Sequence, residues 1–214
     1  MVRNKRILFL ASLLQGYDTV LDIGSDHGYV LEEAFKRGYI KYGIATDVRK
    51  MPLERSMKTL KNYPIKGILS DGFLAIKEPF DCAVIAGMGA QLIADIMTHA
   101  PLHEADYILQ ANDKHKALRE RINALGFKII DEFIVHDKFY YLVMIVRRGS
   151  EVLTEKDFYL GPILQGKKEA IPYYERRIEL FKKIMKTADQ DRINELKEEY
   201  HYLKMHVENM KSKE

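Results

Sequence analysis

The chain has 214 residues, 47% of them hydrophobic and 30% charged, which excludes a disordered polymer and fits one α/β domain with a small appendage. A net charge of +3 permits an anionic partner without demanding one. No apolar run is long enough to span a bilayer, no residue spacing reads as a metal site, and the single cysteine, Cys82, cannot close an intrachain disulfide, which fits a reducing, cytoplasmic setting.

Lys5 and Arg6 precede the apolar run 7–14, but no small-residue cleavage site follows, so the run reads as a lead into a strand and not as a signal peptide. Short apolar runs then alternate with helical patterns. Strands are expected at 19–23, 42–45, 65–69, 80–86 and 105–110. Helices are expected at 29–37, 52–62, around 92–97 and at 114–125, where Gly126 stops the last. Strands that are apolar throughout and separated by helices imply a parallel sheet covered on both faces. Segments 128–135 and 139–147 read as a closing antiparallel pair around His136-Asp137.

Beyond Gly149 the character changes, and Leu160-Gly161-Pro162 punctuates the chain. Ile171, Tyr174, Ile178, Phe181 and Met185 form one apolar seam; Ile193, Leu196, Tyr200, Leu203, Val207 and Met210 form a second with heptad spacing. Ala188-Asp189-Gln190-Asp191 can turn the chain between them. The expectation is an α/β domain over 1–150 and a helical domain over 151–214, a two-helix coiled-coil hairpin packed on itself. That arrangement suits a monomer; a dimerising coiled coil is the competitor.

In an open parallel sheet, ligands bind beyond the carboxyl ends of the strands. The first strand ends in Asp22-Ile23-Gly24-Ser25-Asp26-His27-Gly28-Tyr29. Gly24 allows a tight turn, but the dinucleotide pattern of three glycines is absent. A carboxylate at Asp26 would repel a pyrophosphate and suits the ammonium group of a methionine moiety, which favours S-adenosylmethionine over a nicotinamide cofactor. Asp47 stands where an acidic residue accepts from ribose hydroxyls, a place where helix caps also occur. Ser70-Asp71-Gly72 follows the third strand, and Asp71 can accept from an adenine amine. Gly87-Met88-Gly89 follows the fourth, with Met88 able to pack on a flat ring. Gln110-Ala111-Asn112-Asp113 follows the fifth, with amides that can read a base edge.

Together these residues resemble the TrmK family, bacterial tRNA methyltransferases that modify N1 of adenine 22. The resemblance runs over nearly the whole chain. It is carried by Asp22-Ile23-Gly24-Ser25-Asp26-His27 with Tyr29, by Ile85-Ala86-Gly87-Met88-Gly89, by Ile108-Leu109-Gln110 with Asn112, and by Leu160-Gly161-Pro162. There are departures. The family has alanine where Gly28 stands, Gly-Glu at Thr46-Asp47, Gly-Asp-Gly at Ser70-Asp71-Gly72, and a further glycine at Ala90. Its Gln-Pro-Asn is Gln110-Ala111-Asn112 here, and losing the proline should loosen that loop.

The resemblance implies a class I methyltransferase fold, Rossmann-like, with the closing hairpin typical of that class. It implies S-adenosylmethionine bound by Asp22, Gly24, Ser25, Asp26, His27, Asp47, Ser70, Asp71, Gly72, Gly87 and Met88. Adenine N1 carries a lone pair at neutral pH, so no base is needed, and the enzyme positions and desolvates. Asp26 and Asn112 are the expected acceptors for the exocyclic amine, with Tyr29 stacking nearby. The implied substrate is polyanionic, so Lys167, Lys168, Arg176, Arg177, Lys182, Lys183 and Lys186 become candidate tRNA phosphate contacts. The rival readings are a methyltransferase of another RNA or of a small molecule, a non-catalytic tRNA-binding protein, and a nicotinamide-dependent oxidoreductase.

Overall fold

The computed structural model describes residues 4–212. The run 7–14 is helical as far as Ser12, and a turn at 13–16 then leads to the first strand. Asn4 caps α1 (Lys5–Ser12) by accepting from the Ile7 backbone at 2.9 Å, and Leu10, Ala11 and Leu14 are buried on one face. The capping asparagine and the apolar spacing were both present in the sequence.

Five parallel strands follow: β1 (Thr19–Ile23), β2 (Tyr42–Asp47), β3 (Ile65–Leu69), β4 (Cys82–Met88) and β5 (Asp106–Ala111). They are interleaved with α2 (Tyr29–Lys36), α3 (Lys50–Thr59) and α4 (Ala90–Met97), and α5 (His115–Ala124) leaves β5. The hairpin β6 (Phe127–His136) and β7 (Tyr140–Arg148) completes a sheet of order β3-β2-β1-β4-β5-β7-β6, in which β7 is antiparallel to both neighbours. β4 runs past its expected end because Met88 still pairs with Ala111; a glycine does not end a strand whose ladder continues. Alternate residues face opposite layers: Val20, Cys82 and Val84 pack toward α1 and α2, whereas Leu21, Ala83 and Ile85 pack toward α4 and α5.

The C-terminal part comprises α6 (Glu155–Leu160), two single 3-10 turns, α7 (Ile171–Ile184) and α8 (Gln190–Lys211). Asp189 caps α8, accepting from Arg192 N at 2.9 Å, so the expected turn is real. Tyr174, Ile178 and Phe181 of α7 meet Leu196, Leu203 and Val207 of α8, and all join the apolar cluster that contains Leu118 and Ile122 of α5. The hairpin thus buries its seam against both itself and the sheet domain.

A buried ion pair anchors the junction. Arg119 Nε donates to Glu132 Oε1 at 2.8 Å, with side-chain exposures of 1% and 0%. Arg119 also donates to Phe158 O at 3.0 Å, and Glu132 Oε2 accepts from the backbone N–H of Ile163 and Leu164 at 3.1 and 3.0 Å. Gly161 (φ +95) lies against this pair: a Cβ there would sit 2.5 Å from Glu132 Oε2. Leu160-Gly161-Pro162 is therefore a docking point, and only glycine fits its centre.

Candidate active site

The carboxyl ends of β1 to β4 open on a cavity of about 500 Å³. Gly24 (φ +73) turns the β1–α2 loop so that the N–H groups of Gly24 and Ser25 both donate to Thr46 O at 2.9 Å, which folds the loop across the end of β2. A Cβ at Gly24 would stand 2.2 Å from Met88 Cε, so the thioether lies directly on the glycine. Asp26 is held at φ +40, a conformation that costs a non-glycine residue energy and tends to mark functional loops.

All eleven residues expected to bind the cofactor line this one cavity. Their chemistry differs. The Ser70 hydroxyl donates to Gly72 O at 2.8 Å and accepts from Ala75 N at 3.1 Å, so it shapes its loop. Asp47 Oδ1 accepts from Arg49 N at 2.8 Å. His27 and Tyr29 stack with ring centroids 5.0 Å apart. The cavity also takes in Arg6 from α1, together with Val48 and Ile96, none of which was picked out as a site residue from the sequence. Val48 carried a signal: it is an apolar residue directly after Asp47 and is 62% exposed. Arg6 carried none, since α1 reaches the site only through tertiary packing.

The residues present fit a nucleoside with a cationic tail. Asp22, Asp26, Asp47 and Asp71 make the cavity acidic; Ser25 Oγ is shielded from water without a hydrogen-bond partner, and Asp26 Oδ1 faces the Arg55 guanidinium at 3.4 Å. Burial pushes the Asp22 carboxyl up to about 7. A carboxyl raised in this way binds its proton more tightly folded than unfolded. Its contribution to stability is full below the ordinary value of 3.8 and is lost as pH rises toward about 7. A ligand ammonium set against Asp22 would expel that proton. Calorimetric titration with S-adenosylmethionine just below neutral pH should therefore show heats that vary with buffer ionisation enthalpy. Heats independent of the buffer would place the ammonium elsewhere.

The expected catalytic trio is divided. Asp26 and Tyr29 line the donor cavity, whereas Asn112 lines a neighbouring cleft that shares Gly87 and Arg6 with it. Asn112 is well held: Nδ2 donates to Gly87 O and its backbone N–H to Met88 O, each at 2.9 Å. Ala111, in place of the family proline, is 2% exposed, and its carbonyl accepts from Gln110 Nε2 at 2.8 Å and from His115 Nε2 at 3.3 Å. Burial pushes the His115 imidazole down to about 3, so it is neutral, with Nε2 protonated toward that carbonyl and Nδ1 accepting from Tyr173 OH at 3.3 Å. Side-chain donors thus fasten the loop that the missing proline was expected to loosen.

The seven basic residues also divide. Lys167 pairs with Asp131 at 2.5 Å and lies over the Phe133 ring, and Arg177 pairs with Glu199 and packs over Phe181. Both are tied to neighbouring side chains, and Arg177 also lines the cleft beside Asn112. Lys168, Arg176, Lys182, Lys183 and Lys186 are exposed.

The doubly wound sheet, its antiparallel seventh strand and an acidic nucleoside cavity beyond the carboxyl strand ends define a class I S-adenosylmethionine-dependent methyltransferase. A Streptococcus pneumoniae protein solved in complex with S-adenosyl-L-methionine superposes with a TM-score of 0.84 at 27% identity, covering 97% of this chain and 100% of that one. The TrmK family, tRNA (adenine(22)-N(1))-methyltransferase, matches residues 20–212, and the chain belongs to it. The tRNA (adenine(22)-N(1))-methyltransferase of Bacillus subtilis is 26% identical over 183 residues, covering 78% of this chain and 77% of its own. A Mycoplasma pneumoniae relative is 30% identical over 184 residues, covering 80% and 86%. The chain is accordingly a tRNA adenine-N1 methyltransferase that uses S-adenosylmethionine.

Proposed function

We propose that the donor cavity and the neighbouring cleft are the two halves of this reaction, and that they meet at Gly87. The observation that carries this is the shared wall: Gly87 and Arg6 line both spaces, and Asn112 is tied to Gly87 O. When bound, S-adenosylmethionine supplies an activated methyl on a sulfonium. Asp22 and Asp26 hold the methionine end, Asp47 the ribose and Asp71 the adenine ring, with Met88 packed against Gly24.

On the acceptor side, Asn112 Oδ1 takes only a long contact from Gln110 Nε2 at 3.4 Å and keeps acceptor capacity. It accepts from the exocyclic amine of the target adenine. That sets N1 toward the donor and offsets charge developing on the ring. Arg6 Nη1 donates to Gln110 Oε1 at 2.9 Å, which fixes the Gln110 amide and so the loop behind Asn112. Asp26 and Tyr29 act from the donor side.

Incubation with isotopically labelled S-adenosylmethionine and unmodified tRNA, followed by nuclease mapping, should place the label on N1 of adenine 22 in the D-arm. Label on another nucleotide would overturn the acceptor assignment and leave the reaction class intact.

Lys182 and Lys183 of α7, Lys186 in the turn after it, and Arg176, which pairs with Glu179 at 3.6 Å, present an exposed basic face for the tRNA backbone. Replacing the three lysines by alanine should weaken tRNA binding and flatten its salt dependence by about one unit of slope per lost phosphate contact. Donor binding should be unchanged. A variant that binds tRNA as tightly as the parent chain, with the same salt dependence, would sink the assignment. The α7–α8 hairpin covers its own apolar seam, which supports a monomer, and membership of a tRNA-modifying family supports a cytoplasmic role.

A further inference from the structure

The cleft beside the donor cavity is larger than Asn112 alone requires, at about 990 Å³, and its walls come from elements far apart in sequence. One wall is the β6–β7 turn: His136 and Tyr140 stack with centroids 4.3 Å apart and planes inclined by 22°, and Phe139 beside them is 61% exposed. The opposite wall is α7. Tyr173 meets the Tyr140 ring edge-on at 6.0 Å, and Arg176, 61% exposed, stands one turn further on. Where the cleft joins the donor cavity, the Arg6 guanidinium lies over the Tyr141 ring, 5.2 Å from its centroid.

Solvent-facing aromatic rings are unusual away from ligands. Their combination with guanidinium groups at the edges is the arrangement that holds unstacked bases, with rings on the base faces and cations on the phosphates. An adenine inside a folded RNA presents neither N1 nor its faces, so it has to leave its stack before it can be methylated. Leaving the stack costs energy, and a second stacking surface beside the donor repays part of it.

We infer that this aromatic cleft receives the target adenosine after it leaves the RNA stack. The base packs against the Tyr140–His136 pair and Phe139, Arg176 meets its phosphate, and Asn112 reads its amine. The inference rests on the acceptor being a tRNA adenine. It adds that the β6–β7 turn, which in the fold merely closes the sheet, supplies the stacking surface. Tyr173 supports that surface from α7, and its hydroxyl reaches His115, whose other nitrogen holds the Ala111 carbonyl next to Asn112. The stacking wall and the amine acceptor therefore share one framework.

The test is steady-state methylation of unmodified tRNA at saturating donor, with donor affinity measured calorimetrically on the same preparations. Three variants are compared: Tyr140→Ala, Tyr140→Phe, and the double variant His136→Ala with Phe139→Ala. The double variant removes only exposed side chains and spares the fold. The alanine variants should lose about 10- to 100-fold in kcat/KM for tRNA, the range that follows loss of a base–aromatic stack. Tyr140→Phe keeps the ring and should stay within about threefold of the parent chain, with donor affinity unchanged throughout. Unaltered tRNA kinetics in the double variant overturn the cleft assignment, as does a Tyr140→Phe variant as impaired as Tyr140→Ala. A parent chain that forms no N1-methyladenine removes the reading of the reaction itself, and the cleft assignment falls with it. A parent chain that forms it, beside equally fast variants, removes only the cleft.

Discussion

Glu132→Gln is expected to lower the free energy of unfolding by about 3–5 kcal/mol, the usual cost of removing one partner from a buried ion pair. Glu132 and Arg119 are sealed from solvent, and among the described residues no other carboxylate is paired with that guanidinium. The amide is nearly isosteric, so packing around Gly161 is preserved, and the loss reports the charge together with one acceptor oxygen turned into a donor. For a chain of this size that corresponds to a fall in melting temperature of roughly 10 °C. Because Glu132 also accepts from the Ile163 and Leu164 N–H groups, the segment leading into α7 should become a preferred site of limited proteolysis. Replacing both partners by leucine or methionine should recover much of the stability, since a well-packed apolar pair carries no desolvation cost. A loss below about 1 kcal/mol in the single variant would show that Arg119 finds water or another acceptor.

Asp47→Ala should weaken binding of S-adenosylmethionine by about 10- to 100-fold, corresponding to loss of a hydrogen bond to a charged group at roughly 1.5–3 kcal/mol. Asp47 is 6% exposed at the end of β2, and one of its oxygens is committed to Arg49 N. Asp47→Asn keeps that backbone contact and drops only the charge, so its effect should be smaller. Affinity for tRNA should not change, because Asp47 lines the donor cavity and not the neighbouring cleft. Unchanged donor affinity in both variants would move the ribose to another carboxylate of the cavity, with Asp71 the next candidate.

The donor half of the site was legible because its information is local. A parallel strand that ends in glycine, with a polar or acidic residue beside it, forms its own loop. The sheet then gathers such loops at one edge whatever the rest of the chain does. This is why Asp22, Asp47, Asp71 and Met88, spread over 67 residues, line one cavity. Of the neighbouring cleft, only the loop after the fifth strand, with Asn112, was legible. Tyr140, Tyr173 and Arg6 come from a hairpin, a C-terminal helix and an N-terminal helix, and nothing in their neighbouring residues marks them as partners.

The basic residues teach the same lesson from the other side. Arg177 and Lys182 look alike in the sequence, five positions apart on one charged helix. One is packed inward against Glu199 and Phe181, the other is exposed, and the difference lies in α8, which helical periodicity does not position. Periodicity and turn chemistry determined the strands, most of the helices, the loops that line the cavity and the presence of a terminal helical hairpin. Only the tertiary structure decided which cations are turned to solvent, how Arg119 and Glu132 lock the hairpin to the sheet, and that two spaces meet at Gly87. Backbone preferences act over a few residues, whereas pairing, burial and the sharing of a wall depend on contacts between segments far apart in the chain.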